Sequence, residues 1–320
     1  MRALSPIFRL LIFVIITAVV IILVNAAYFS LVLSQKTFYK KEILYQQALS
    51  ADPDRHFSAL FFGDSHAFHA VNPEYIPDSY NYASGAENYI KSYYKLRKVL
   101  EHENVSVDTI VLELDLHTFS TRLTDQTNLF NELELYSDFV SLAEVRHVRH
   151  EPLPQLWREA NIPVIGNGKE FGILLYQPAL SEVNSLGWLR NKGNFSLDDK
   201  QAIALANYKD TFEGQERISN VSFDYFIKTL ELAEQHGVNI VFIQYPYTNE
   251  YKAALTAYNI TEEGYYDFIF EQVNETIDHY SVLDYSHLFA EKDYLSEGIR
   301  KSPYKTRPKK SRQRNTARFI

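Results

Sequence analysis

FFGDSHAFHA, Phe61–Ala70, is the stretch on which the reading of this chain turns. An apolar run, Ser58–Phe62, stops at Gly63 and gives way to an acid, a hydroxyl and an imidazole, Asp64-Ser65-His66. A short apolar run bounded by a turn former has the signature of a buried strand. Polar groups at its corner then stand at a sheet edge. Two readings of the corner follow. In one, Ser65 is a nucleophile whose own backbone N–H faces a substrate oxygen, with a base to take its proton. In the other, Asp64 and Ser65 close a turn through Asx-type hydrogen bonds.

Working outward, strands and helices alternate. Tyr80–Ala83 reads as a short strand, Gly85 as a turn, and Asn88–His102 as a helix with Tyr89, Tyr93, Leu96 and Leu100 on one face. Asp108–Leu116 is a strand. Ser222 is the expected N-cap of a helix over Phe223–Gln235, with Gly237 as its stop. Asn239–Tyr245 is a strand, Glu262–His279 a helix and Ser281–Asp284 a last short strand. This order predicts an α/β fold: a doubly wound, flavodoxin-like, mostly parallel sheet in residues 56–298. Chemistry collects at the carboxyl ends of such strands, where Ser65, Asp115, Tyr245 and Asp284 fall. Residues 118–220 lack a clear period and hold four prolines and a Gly166-Asn167-Gly168 turn, so they read as a partly helical insertion or lid.

Leu10–Leu33 contains no charge and suits a hydrocarbon core of roughly 30 Å. Arg2 and Arg9 precede it, which predicts a plasma-membrane anchor with residues 1–9 in the cytoplasm and the rest outside. A cleaved signal peptide, with secretion, is the alternative, since Val24-Asn25-Ala26 resembles a cleavage site. Residues 34–55 read as a juxtamembrane linker or short helix. The chain has no cysteine, which excludes disulfides and thiolate chemistry. Eight Lys/Arg and no acid fall in 301–320, leaving 24 basic against 40 acidic residues in the body. So acidic a body excludes a nucleic-acid binder.

FFGDSH resembles the first block of the GDSL/SGNH hydrolase superfamily, including its membrane-anchored relatives that act on cell-envelope polymers, such as wall-teichoic D-alanylation and alginate-acetylation proteins. NYASGAENY resembles the second block and IVLELDLHTF stands where the third belongs. The resemblance covers residues 56–117 and 222–298. It implies a serine esterase or O-acyltransferase without cofactor, acting on acylated glycan or cell-wall polymer alongside other envelope acylation proteins. It implies Ser65 as nucleophile, the Ser65 and Gly85 N–H groups as oxyanion hole, and a late Asp-x-x-His, matched by Asp284 and His287, as orienter and base.

Two departures stand out. The third block of ordinary members has an Asn that donates to the oxyanion; here Leu114-Asp115-Leu116 offers an acceptor only. Asp64 and Asp115 are then expected to support the site, with Asp115 orienting His66 or His117. A metal reading also exists, in which Glu113, Asp115 and His117 alternate onto one strand face near Asp64 and His66. The second departure is the end. Gly298–Ile320 has no apolar period and reads as a solvated, disordered tail. Read one nucleotide later, its codons permit Asn/Ser-His-Leu-Ile/Thr-Lys-Gln-Gly, resembling the closing block. A frameshift near residue 298, with the true base lost, is the expectation; a basic tail for anionic polymer or lipid is the alternative. A non-catalytic envelope assembly or binding protein on the same scaffold is the rival function.

Overall fold

The computed structural model describes residues 5–32, 37–52, 54–85, 87–102, 105–119, 140–162, 183–188, 219–245 and 262–284. Its centre is a five-stranded sheet in which every pairing is parallel. The strands are β2 (Ala59–Phe62), β3 (Ser79–Asn81), β5 (Thr109–Glu113), β6 (Asn239–Gln244) and β7 (Tyr280–Asp284), in the order β3-β2-β5-β6-β7. β1 (His56–Phe57) pairs with β4 (Ser106–Val107), extending the β2–β5 pair backwards past Ser58 and Asp108. The chain runs from β2 outward to β3, then crosses to β5 on the other side, so its direction of winding reverses between β2 and β5.

The three central strands are apolar through their middles because both faces are covered, whereas edge strand β3 reads Ser-Tyr-Asn and β7 is half-buried. In register, Leu60, Ile110 and Ile240 form one row and Phe62, Leu112 and Phe242 the next. Both rows face the larger core, under α4 (Tyr89–Arg97), α7 (Asn220–Gln235) and α8 (Glu262–Thr276). Each such buried side chain contributes roughly 1.5–3 kcal/mol relative to exposure. Between those rows Phe61 and Val111 turn to the opposite face, against Phe68 of α3 (Ser65–Ala70).

The insertion leaves and returns at one point: Ser219 N–H donates to the Phe119 carbonyl over 2.8 Å. Ser219, and not the expected Ser222, caps α7. Its Oγ accepts the Ser222 N–H, while the Ser222 hydroxyl turns back to the Thr118 carbonyl, which is why it is not the cap. Gly237 stops the helix with φ +68° as expected. Within the insertion, α5 (Leu142–Arg149) and α6 (Leu153–Asn161) form a hairpin. Val145, Val148 and Leu156 join the larger core. Residues 183–188 lie against β3 and α3, through Leu186 O on Asn81 N–H and the Trp188 indole on the His69 carbonyl.

Two helices precede the sheet. α1 (Pro6–Leu31) is the one helix among the described residues long and apolar enough to cross a membrane; a signal sequence has the same character. α2 (Thr37–Ala51), in the segment read as linker, is packed into the domain. Tyr45 sits among Phe57, Tyr80 and Tyr82, and the Lys41 carbonyl accepts the Tyr80 hydroxyl at 2.7 Å.

Candidate functional site

β2 delivers the Gly63–His66 corner to the carboxyl edge at the winding reversal, where an open parallel sheet leaves a crevice. Gly63 has φ +147°, and any Cβ there would stand 2.7 Å from the Glu113 Cβ. Only glycine fits. Asp64 caps α3, its Oδ1 accepting the His66 N–H at 2.7 Å, which is the Asx turn weighed above. Ser65 is the first, half-buried residue of that helix.

Three carboxylates converge on the His66 ring. Its Nδ1 lies 3.2 Å from Asp115 Oδ2, 3.4 Å from Glu113 Oε1 and 3.6 Å from Asp64 Oδ1. Glu113, at the end of β5, is buried and its Oε2 accepts the Asp64 N–H at 2.7 Å. Asp115 is also buried; its Oδ1 accepts the Tyr245 N–H from beyond β6 at 3.2 Å. Thus the ends of β2, β5 and β6 are tied together through acids surrounding one imidazole.

Burial works against a charged imidazole, but the Asp64 charge and hydrogen bonds with Asp115 and Glu113 outweigh it, so the His66 pKa is raised well above 6.5. Burial, then the Asp64 charge, raise the Glu113 pKa above 4.5. The carboxylates favour the protonated imidazole, which makes His66 a poor acceptor for the Ser65 proton. Nor do neighbouring residues on a helix face each other. His66 holds the corner in shape.

Gly85 lies exposed in the adjoining turn. The two loops are joined: Ser84 N–H donates to the Gly63 carbonyl at 3.0 Å and Tyr82 N–H to Phe61 O at 2.8 Å. Ser65 and Gly85 thus belong to neighbouring, hydrogen-bonded loops. Asp284 ends β7, three strand spacings from β2 or roughly 14 Å across the sheet, and is not brought to Ser65. His117 sits in the turn Leu116–Phe119, its side chain outside the described residues. His287 and the basic tail also lie outside them.

Asp64, His66 and Glu113 each offer a ligand atom within 4.8 Å of the others, a donor set that fits a divalent cation. Such an ion would have to displace the Nδ1 proton. The same groups also satisfy one another as an ion-pair cluster.

A second buried network went unread in the sequence. The Lys95 ammonium pairs with Glu87 and donates to the Tyr82 carbonyl at 2.7 Å. Glu87 also accepts from Ser84 and Ser92, at 2.8 and 2.7 Å. From α2, Lys41 donates to the Ala83 carbonyl and Glu42 pairs with Lys98. Burial, foremost, lowers the pKa of both Lys41 and Lys95. The signal was present as Glu87, just before the cap of α4, with Lys91 and Lys95 at steps of four beyond it.

No family model matches this chain, and no curated protein matches it.

Proposed function

We propose that this chain is a membrane-anchored, extracytoplasmic acyl esterase or O-acyltransferase of the SGNH type, on a doubly wound, flavodoxin-like sheet. Counted along the main sheet alone, the strands run 2-1-3-4-5, the order of flavodoxin-like folds. The observation that carries the function is the place of Ser65. It opens a helix at the carboxyl edge of the sheet's first strand, at the winding reversal, in a loop hydrogen-bonded to the one that bears Gly85.

In this reading the Ser65 Oγ attacks an ester carbonyl of an acylated envelope glycan, and the Ser65 and Gly85 N–H groups hold the oxyanion. Asp115 takes no part in that hole; its oxygens are engaged by Tyr245 and His66. The base is an imidazole from beyond β7. His287 is the candidate in this frame, but three residues past Asp284 span at most roughly 10 Å. It reaches Ser65 only if the chain turns straight across β6 and β5, so a histidine further along, as in the displaced frame, serves the site better. α1 is the membrane anchor, with its N-terminus cytoplasmic.

Ser65→Ala should abolish release of acyl groups from acylated polysaccharide by the membrane-inserted protein; unchanged release removes the proposal. The rival, a glycan-binding assembly protein, is favoured by one observation, the acceptor Asp115 where a donor belongs. Glycan binding that survives Ser65→Ala, with no turnover in either form, selects it.

A further inference from the structure

α6 carries an apolar row that the domain does not use. Leu156 is turned into the core, but Leu153 and Trp157, four residues apart on one helix face, are 39% and 53% exposed. A half-exposed tryptophan on a soluble surface is uncommon, whereas tryptophan is favoured at the membrane–water boundary. The next position on that face, Asn161, is also where α6 meets α1: its carbonyl accepts from the Asn25 side chain at 3.4 Å.

Asn25 fixes the depth. It lies six residues before the end of α1, or roughly 9 Å along the helix axis. Twenty apolar residues span the hydrocarbon, so a core over Leu10–Phe29 puts Asn25 roughly 6 Å inside its outer face. Helices that lie on membranes bury their apolar face about 5–10 Å into the same zone. Exposed Arg158 follows Trp157 on α6, and Arg146 on the neighbouring α5 is also exposed; both suit lipid phosphates. The hairpin cannot tilt freely, since Arg97 of α4 holds Glu144 of α5 at 2.9 Å.

From this geometry we infer that α6 is an interfacial helix, which seats Leu153 and Trp157 in the outer leaflet and fixes the domain's orientation to the bilayer. The inference rests on α1 being a membrane anchor. The occupant of the apolar row is lipid because α6 touches α1 where Asn25 meets Asn161, and the α1 side chains from Leu10 to Leu23 are exposed and almost wholly apolar.

Brominated phosphatidylcholine vesicles test it with the full chain. The protein has two tryptophans, so Trp188→Phe leaves Trp157 as the sole reporter. If that variant loses its fold by circular dichroism, the difference between the parent chain and Trp157→Phe gives the same signal. Bromines near the headgroup end of the acyl chain should quench Trp157 roughly twofold, and bromines near the chain end much less. A Val20→Trp reporter, at the midpoint of Leu10–Phe29, in a chain lacking both tryptophans should be quenched by the deep bromines. If Val20→Trp is quenched and Trp157 is not, the interfacial helix is overturned while the anchor stands. If Val20→Trp is not quenched, the anchor fails and the inference with it.

Discussion

Two buried clusters of charge lie on either side of the paired loops at the sheet's carboxyl edge, and they are opposite in kind. Around His66, three carboxylates share one imidazole. Around Glu87 and Glu42, the ammonium groups of Lys41, Lys95 and Lys98 outnumber the acids. The first holds the Gly63–His66 corner; the second holds residues 82–84 and Glu87 and joins them to α2. An unbalanced buried charge is costly unless hydrogen-bonded. Both clusters meet that demand with backbone groups, and those are the backbone groups that shape the two loops. The contrast teaches that the loops are set by electrostatics more than by apolar packing.

The largest expected effect comes from breaking the cation-rich side. Glu87→Ala leaves Lys95 buried beside Lys41 without its acid and should cost about 3–5 kcal/mol of stability in denaturant unfolding. A double change, Glu87→Leu with Lys95→Met, should recover most of that loss. Next comes the acid-rich side. Gly63→Ala forces a Cβ against Glu113 at a positive φ and should cost roughly 2–4 kcal/mol.

A smaller effect separates the clusters by sign. His66 has a folded pKa above 6.5, so its stabilisation is complete below that value and is lost as pH rises through the raised one. Glu113, also raised, bears the cost of a buried charge increasingly over the same direction of pH. Lys41 and Lys95 are lowered from 10.5, so their burial cost is present at neutral pH and is relieved as pH rises through the lowered values. Thermal unfolding in detergent should therefore show Glu113→Gln flattening the loss of stability as pH rises from about 4.5, and Lys41→Met flattening the recovery at alkaline pH. Parallel profiles for both variants would contradict the assignment.

The sheet was legible because its strands are short apolar runs ended by turn formers: Gly63 after Phe62 and Pro246 after Tyr245. The helix starts were less so, because Ser219 and Ser222 are both capping types and only their tertiary bonds decide between them. The metal reading already grouped Glu113 and Asp115 with Asp64 and His66, but the sequence could not say that all three carboxylates meet at one nitrogen. That meeting depends on strand register, β2 against β5. The lysine spacing was visible, but its partners were not: the Lys41 Nζ sits over the Phe68 ring, 4.2 Å from its centre, a contact no count of charges would foretell. The insertion's closure at Phe119 and Ser219 is a contact across a hundred residues and leaves no local trace.

The central claim is that Ser65 is a nucleophile, and covalent trapping tests it most directly. The full chain, and a second chain carrying the displaced-frame sequence after Gly298, are treated with an organophosphonate probe and mapped by peptide mass spectrometry. The account predicts an adduct on Ser65 in the second chain, absent after Ser65→Ala. No adduct on Ser65 in either chain, or total labelling that Ser65→Ala leaves unchanged, would contradict it.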